Sequence, residues 1–273
     1  MLSSAMLSAT VLTRDNSRTI ADTINSLKGV IDELIIVDDN STDDTLEIIR
    51  SIWPEARIFT RALAGDFAAQ RNFSLEQCTH PWAVIIDSDE HLDAVLASAI
   101  RKATTGKSAS SLYTCWRINK NFSIPTRVAM ARPILIRTSL RFQASVHEYI
   151  PGQMTMLEGS LHHNSWAGVD DFVHDLNMYS GHKADLWLRE KRNYSVPRVV
   201  LRQTAAFFYF FIKRYIGERR YRGGWKGFLY CLSWSSEELF AAMKYMERYE
   251  TNPKTNQPLR AACTPEHYDE RKS

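Results

Sequence analysis

Apolar runs that favour β-strands alternate with helix-spaced apolar positions along the first part of the chain. Strands are predicted at 6–13, 34–37, 56–60 and 82–86, and the uninterrupted run Leu34–Val37 is typical of a strand buried on both faces of a parallel sheet. Between the strands, Ile20, Ile24 and Leu27 recur at helical spacing, and 67–77 is predicted as a further helix. Repeated β-α-β units of this kind predict a mostly parallel α/β sheet with right-handed crossovers.

Two of the predicted helices begin with residues that favour N-caps. Asn16 or Ser17 is the candidate cap of the first helix, which should stop near Gly29. Thr42 is the candidate cap of the second helix, whose first turn would carry acidic residues that suit the helix dipole.

The pattern changes twice after the first four strands. From 111 to 150 it is less regular, with strands predicted near 112–118 and 133–137. After Trp166 it becomes helical, and the predicted helices are 170–189, 198–216 and 227–249. Three late prolines then indicate a loosely held tail. We therefore expect an α/β domain at 1–165, a helical appendage at 166–250 and a tail at 251–273.

Charge is distributed unevenly along the chain. The net charge is +3, but twelve Lys and Arg residues accompany three acids between Lys183 and Lys226, a local balance of +9 that leaves −6 elsewhere. The apolar run 207–212 lies within this basic region, as in helices that lie on anionic membranes. So many consecutive apolar residues cannot share one helical face. We expect Phe208 and Phe211 to contact lipid; the alternative is that the aromatic residues pack the appendage onto the core.

Cellular location is predicted from what the sequence lacks. No apolar run approaches the roughly 18 residues that a spanning helix needs. No basic segment precedes the first apolar residues, which Arg14 and Asp15 soon interrupt, and this argues against a secretory signal. The four cysteines lie far apart and fit neither a zinc site nor a disulfide framework. We expect a cytoplasmic protein docked peripherally at the inner membrane face.

Acidic residues follow three of the predicted strands. Since ligands of an open parallel sheet bind beyond the carboxyl ends of its strands, these acids should lie along one edge. Converging acids repel one another unless a cation or several donor groups lie between them. Asp87 and Asp89 form a D-x-D pair after a buried strand, and carboxylates of this kind hold Mg²⁺ or Mn²⁺ together with substrate phosphates. For any single acidic cluster, turn formation is the alternative.

Six segments resemble, in the same order, those of a known family: 37–45, 67–72, 87–90, 146–148, 161–166 and 224–228. Together they are similar to the family 2 inverting glycosyltransferases with a GT-A fold, and most similar to the bacterial lipopolysaccharide inner-core β-1,4-glucosyltransferase group. The resemblance implies a Rossmann-like, mostly parallel α/β fold with a C-terminal helical appendage. It also implies transfer of a hexose, glucose, from a UDP-sugar to a lipid-linked saccharide such as lipopolysaccharide core. The acids at the sheet edge argue against a nucleic-acid partner.

The resemblance also implies residue roles. Asp89 and His163 would hold Mg²⁺ or Mn²⁺, although His163 has a purely structural role as its alternative. Asn40 stands where the group more often has glycine, so a left-handed backbone is expected there. The nucleotide of the donor would contact the following residues: Thr13, Arg14, Asp15, Asp38, Gln70, Arg71, Asn72 and Asp87.

Inverting transfer needs a base that takes the proton of the acceptor hydroxyl. The base must be a carboxylate or imidazole within hydrogen-bond reach. Glu148, with His147 beside it, is the candidate, and Asp89 or Glu90 competes with it because the Glu-Asp pair that often marks the base in this family is absent. The alternative for Glu148 is an ion pair with Arg137 or Arg141. Two other functions stay open, namely a nucleotidyltransferase acting on sugar nucleotides and a non-catalytic binder of anionic lipid.

Overall fold

The protein is described by a computed structural model that covers residues 6–105, 110–122, 124–130, 132–144, 148–166, 168–189 and 196–249. Within these ranges seven α-helices are present: α1 (Ile20–Leu27), α2 (Thr45–Ile52), α3 (Phe67–Glu76), α4 (Ala94–Thr105), α5 (Val169–Arg189), α6 (Val196–Ile212) and α7 (Gly224–Tyr249). A π-helical turn, Lys213–Gly217, and a 3₁₀ turn, Arg220–Gly223, lie between α6 and α7. The expected tail at 251–273 lies outside the described residues.

The strands of the described residues form one mixed sheet. They are β1 (Leu7–Thr13), β2 (Glu33–Asp38), β3 (Arg57–Thr60), β4 (Trp82–Asp87), β5 (Glu90–Leu92), β6 (Leu112–Asn121), β7 (Ile124–Ala129), β8 (Leu135–Arg137) and β9 (Thr155–Trp166). Their order is β3-β2-β1-β4-β8-β6-β9-β5, and β7 pairs with β6. The predicted α/β fold class with C-terminal helices is confirmed.

The parallel half of the sheet, β3-β2-β1-β4, brings the strand ends together. β1 pairs in parallel with both β2 and β4, so that Thr13 lies opposite Asp38 and Leu12 lies opposite Asp87. The central residues of β1, β2 and β4 are buried, as their continuous apolar runs require when helices cover both faces. Beyond β4 the sheet becomes antiparallel, because β8 pairs antiparallel with both β4 and β6. The acidic strand ends of the parallel half therefore share one edge.

Both predicted N-caps are wrong. α1 begins at Ile20 after Thr19, and α2 begins at Thr45 after Asp44. The side chain of Asn16 instead faces the ends of β1 and β4, and Thr42 binds Asp15. Short polar side chains can bind other nearby groups instead of capping a helix. Here Asn16 binds Ser88 and Thr42 binds Asp15, so neither side chain caps the helix that follows it.

The chain divides into two compact units, Met1–Lys120 with Pro125–Ser165, and Asn121–Ile124 with Trp166–Ser273. The first unit contains most of the sheet and its main apolar core. The second contains α5, α6 and α7, with one cluster around Trp187 and Tyr245 and another around Tyr230 and Cys231. In the described part of the chain, no helix combines the length and the hydropathy that crossing a bilayer requires.

Candidate active site

The loops after β1 and β2 are held by their own carboxylates. Asp38 is buried, and its carboxylate accepts hydrogen bonds from the backbone N and the Oγ of Ser41. Ser41 Oγ in turn accepts a bond from the backbone N of Asp15 at 2.9 Å, and Asp15 Oδ1 accepts one from the backbone N of Thr42 at 2.7 Å. Asp15 and Asn40 have φ of 49° and 57°, so the left-handed backbone expected at Asn40 is confirmed. The two predicted donor-binding acids thus shape a pair of interlocked loops.

Asn16 connects the ends of β1 and β4. Its Oδ1 accepts hydrogen bonds from Thr13 Oγ1 at 3.3 Å, from the backbone N of Arg14 at 3.1 Å and from Ser88 Oγ. The Arg14 side chain extends into solvent and places Nη1 3.1 Å from Asp39 Oδ2. The sequence predicts Asn16 only as a helix cap, because no local pattern shows that its partner Ser88 lies 72 positions away.

Two of the predicted site residues on helix α3, Gln70 and Asn72, bind neighbouring backbone. Gln70 donates from Nε2 to the carbonyl oxygen of Arg61 at 2.6 Å and accepts from the Arg61 guanidinium. Asn72 exchanges two hydrogen bonds with the backbone of Phe142, at 2.9 and 2.8 Å. Both amides therefore fix segments of this protein, the first after β3 and the second after β8.

Arg71 joins two residues that the sequence assigned to different roles. Its Nε donates to Glu148 Oε1 at 2.8 Å and its Nη2 donates to Asp87 Oδ1 at 2.9 Å. The guanidinium is buried, lies 5.7 Å from the ring centroid of Phe142, and leaves Nη1 without a hydrogen-bond partner among the described residues. One cation thus holds the candidate base beside the candidate donor-binding acid.

The expected alternative partners of Glu148 lie elsewhere. Arg137 stacks on the ring of Trp82 at 4.0 Å, and Arg141 donates to the carbonyl oxygens of Thr138 and Leu140. Glu148 does form an ion pair, but with Arg71. His147 lies outside the described residues.

Arg132 is a central site residue that sequence reasoning missed. Its Nη2 lies 2.8 Å from Asp87 Oδ2 and also binds Glu90 Oε2, while Nη1 donates to the carbonyl oxygen of Ile85 at 3.2 Å. Glu90 is fully buried, accepts from the backbone N of Asp87 at 3.0 Å and lies 3.3 Å from Arg117 Nε. No motif marks Arg132 or Arg117. The sequence signal for such residues is the convergence of acids at one sheet edge, since these acids repel one another unless donor groups lie between them.

These ion pairs determine the protonation of Asp87. Burial by itself would raise the pKa of Asp87, but the guanidinium groups of Arg132 and Arg71 lower it well below its usual range. Burial likewise would lower the pKa of Arg132, whereas Asp87 and Glu90 raise it. Asp87 is therefore an anion at every physiological pH, and both of its oxygens bind arginine.

Asp89 and His163 come together through the pairing of β5 with β9. This pairing sets Glu90 opposite His163, and Asp89 Oδ2 lies 3.0 Å from His163 Nε2. The other ring nitrogen, Nδ1, lies 3.1 Å from Asn119 Oδ1. The D-x-D pair is thus divided, since Asp87 faces arginines and Asp89 faces a histidine.

The Asp89–His163 pair fits a divalent cation chemically. A carboxylate oxygen and an imidazole nitrogen suit Mn²⁺, and Mg²⁺ or Mn²⁺ at such sites takes further oxygens from phosphates and water. Across the described ranges, no group of three or more His, Cys, Asp or Glu side chains could hold a metal ion. A cation bound by Asp89 and His163 would therefore depend on oxygens supplied by the substrate.

Comparisons with known proteins identify the family. The family described as Glycosyl transferase family 2 matches residues 8–163. The lipopolysaccharide core biosynthesis glycosyltransferase LpsC of Rhizobium meliloti is 27% identical over 94% of this chain and 97% of its own. An uncharacterized glycosyltransferase of Rickettsia prowazekii is 27% identical over 77% of each chain. Among solved structures, S. aureus TarS has a TM-score of 0.40 at 16% identity, covering 64% of this chain and 39% of that one.

Proposed function

Because the chain belongs to glycosyl transferase family 2, we propose that it transfers a hexose, glucose, from a UDP-sugar to a lipid-linked saccharide of the lipopolysaccharide-core type. Its similarity to LpsC supports this acceptor class. The observation that carries the proposal is the Asp89–His163 pair, 3.0 Å apart, at the edge where the arginine-bound Asp87 also lies. Such an acceptor is anchored in a membrane, so we place the enzyme at the cytoplasmic membrane face.

Family membership makes the chain a glycosyltransferase, which removes the two other functions considered from the sequence. A nucleotidyltransferase would use a similar pair of carboxylates, but it is a different family. A purely non-catalytic lipid binder would not need the buried charge network around Asp87.

The transfer is a single displacement at the anomeric carbon. The acceptor oxygen forms a bond to that carbon, the bond to the diphosphate oxygen breaks, and its electron pair leaves with UDP. When bound by Asp89 and His163, a divalent cation supplies positive charge that offsets the charge of the departing diphosphate.

Glu148 takes the acceptor proton in this proposal. Arg71 occupies its Oε1, which leaves Oε2 to receive the proton. Asp89 is the weaker candidate for the base because its Oδ2 faces His163 and is assigned to the cation. Arg71 therefore acts as a positioning residue that holds Glu148 next to Asp87.

Calorimetric titration with UDP tests the metal assignment. In the wild type, Mn²⁺ should strengthen UDP binding, and this strengthening should disappear in Asp89→Asn and in His163→Ala. The matched control is Glu55→Gln, which removes an exposed acid and should bind like the wild type. Mn²⁺-dependent binding that survives in Asp89→Asn would contradict the assignment.

Steady-state kinetics test the base. Glu148→Gln keeps an oxygen that can accept from Arg71 but cannot take a proton, so kcat should fall by roughly 10²–10⁴-fold while the affinity for UDP stays unchanged. A change confined to KM would instead mean that Glu148 only positions substrate. A hydrolysis screen of UDP-glucose, UDP-galactose, UDP-N-acetylglucosamine and GDP-mannose then identifies the donor sugar.

A further inference from the structure

Some aromatic side chains of α6 and of the π-helical turn after it pack against one another inside the second unit. Phe207 and Phe211 are stacked with centroids 6.3 Å apart, and Phe211 and Tyr215 are stacked at 5.4 Å. Both Phe211 and Tyr215 also pack on the ring of Phe228, at 5.5 and 6.1 Å. Phe211 is therefore partly buried inside the unit, and contact between this side chain and lipid stays a prediction.

Other apolar residues of the same helical segment point outwards. Four of them follow one another at intervals of seven, four and four positions, which places them along one face of the helix. We call these four residues, Leu201, Phe208, Ile212 and Ile216, the outer apolar row. Their exposed fractions are 73% for Leu201, 56% for Phe208, 52% for Ile212 and 61% for Ile216. Isolated exposed apolar residues need no explanation, but an ordered row over about four helical turns does.

Cations accompany this row. Arg198, Arg202 and Lys213 are exposed, and they follow one another at helical spacing on the face adjacent to the outer apolar row. We call these three residues the basic row. The sequence from Val196 to Gly217 contains no Asp or Glu.

We propose that the outer apolar row and the basic row dock this protein on the surface of an anionic lipid bilayer. The apolar side chains would enter the boundary between headgroups and acyl chains, while the cations remain among the headgroups. An anionic surface complements the positive charge of this segment, whereas a second copy of the chain would bring like charge to it. The biological setting rests on the proposed function, but bilayer binding itself requires neither donor nor acceptor.

Co-sedimentation with vesicles tests the apolar row. The full chain is mixed with phosphatidylcholine vesicles that do or do not contain phosphatidylglycerol. Phe208→Ser combined with Ile212→Ser should lower the partition coefficient on the anionic vesicles at least about tenfold. The matched control, Val173→Ser with Met243→Ser, removes side chains of 52% and 52% exposure from α5 and α7 and should bind like the wild type. An equal loss in the control, or no loss in the test variant, would overturn the proposal.

The basic row is tested separately. Arg202→Gln combined with Lys213→Gln should weaken binding about fivefold for each cation removed and should reduce the preference for phosphatidylglycerol. Added salt should weaken the wild type more than this variant, because salt screens the interactions that the variant has lost. Equal wild-type binding to neutral and anionic vesicles would overturn the role of the charges.

Two further measurements separate this proposal from others. If sedimentation velocity shows a wild-type dimer that Phe208→Ser with Ile212→Ser dissociates, and vesicle binding is unchanged, the row is a contact between copies and the docking proposal fails. Mn²⁺-dependent UDP binding should be the same in wild type and row variants, which also shows that they fold. A wild type that binds vesicles but not UDP would contradict the proposed function and leave docking intact.

Discussion

The first two strand ends and the fourth hold their carboxylates in different ways. Asp15, after β1, and Asp38, at the end of β2, both accept hydrogen bonds from N–H and hydroxyl groups of the loop after β2. After β4, Asp87 accepts from the guanidinium groups of Arg71 and Arg132. Neutral donors satisfy a carboxylate without creating a new charge, so the loss of one donor leaves no second charged group without a partner. In the arginine cluster, removing a guanidinium group takes a charged partner from a buried carboxylate, and breaking a buried ion pair in this way is strongly destabilising.

The largest effect is expected from breaking the arginine cluster. Arg132→Leu leaves Glu90, which is fully buried, and Asp87 without their shared cation. We expect a loss of about 3–5 kcal/mol in the free energy of unfolding, measured by urea denaturation. The control is Arg14→Leu, since the side chain of Arg14 is 66% exposed in its pair with Asp39 and should contribute at most about 1 kcal/mol. Equal losses in both variants would mean that the arginine cluster around Asp87 depends no more on its cations than the loops after β1 and β2 do.

A smaller loss in the free energy of unfolding is expected from removing the side chain of Asn16, which holds the loop after β1. Asn16→Ala removes the oxygen that accepts from Thr13, Arg14 and Ser88. Leaving partly buried donors without an acceptor should destabilise the fold by about 1–3 kcal/mol. Asn25→Ala, at an exposed position of α1, is the matched control and should change stability little. A loss above that of Arg132→Leu would reverse the comparison.

The smallest effect is expected in the pH dependence of stability. Burial would raise the pKa of Asp43, but hydrogen bonds from Thr45 and Ser17 lower it to about 2. Because the folded pKa lies below the unfolded one, this carboxylate contributes stability above about pH 4, and the contribution is lost as the pH falls towards 2. Because solvent screens this partly exposed carboxylate, the free energies of unfolding of the wild type and Asp43→Asn should differ by at most about 1 kcal/mol at neutral pH and converge near pH 2, as measured by thermal unfolding.

The same titration sharpens the comparison. Burial would raise the pKa of Asp87, but two cations, Arg132 and Arg71, lower it, whereas the groups that lower the pKa of Asp43 are neutral hydrogen-bond donors. For both residues the unfolded chain sets the pH at which the loss begins. The difference between the wild type and Asp87→Asn should therefore persist to a lower pH than that of Asp43→Asn. Convergence of both pairs at the same pH would contradict the stronger charge pairing at Asp87.

Several elements were predictable from the sequence because their signals are local. β2 and β4 coincide with continuous apolar runs, and α5 follows the predicted bounds within one residue. α4 was missed although Leu96, Ile100 and Thr104 recur at helical spacing and are buried. β9 was missed because Thr155–Trp166 mixes Gly, Ser and His with few apolar residues, so its partners rather than its own pattern make it a strand.

The candidate site was predictable only in part, for a related reason. Position after a buried strand identified Asp87 and Asp89, and the resemblance identified His163 and Glu148 as their companions. Neither could show that Arg71 binds both Glu148 and Asp87, or that Arg132 lies between Asp87 and Glu90. These contacts join residues from 16 to 77 positions apart, which no local spacing describes.

By itself, the amino-acid sequence determined the parallel strands, their shared acidic edge and the family. Hydrophobic periodicity and strand-end chemistry act between neighbouring residues, so they can be recognised along the chain. Only the tertiary structure decided which cation each acid binds and which apolar residues of α6 remain exposed. Both outcomes depend on how distant segments fill the space around a side chain, and that space exists only after the sheet and helices have packed.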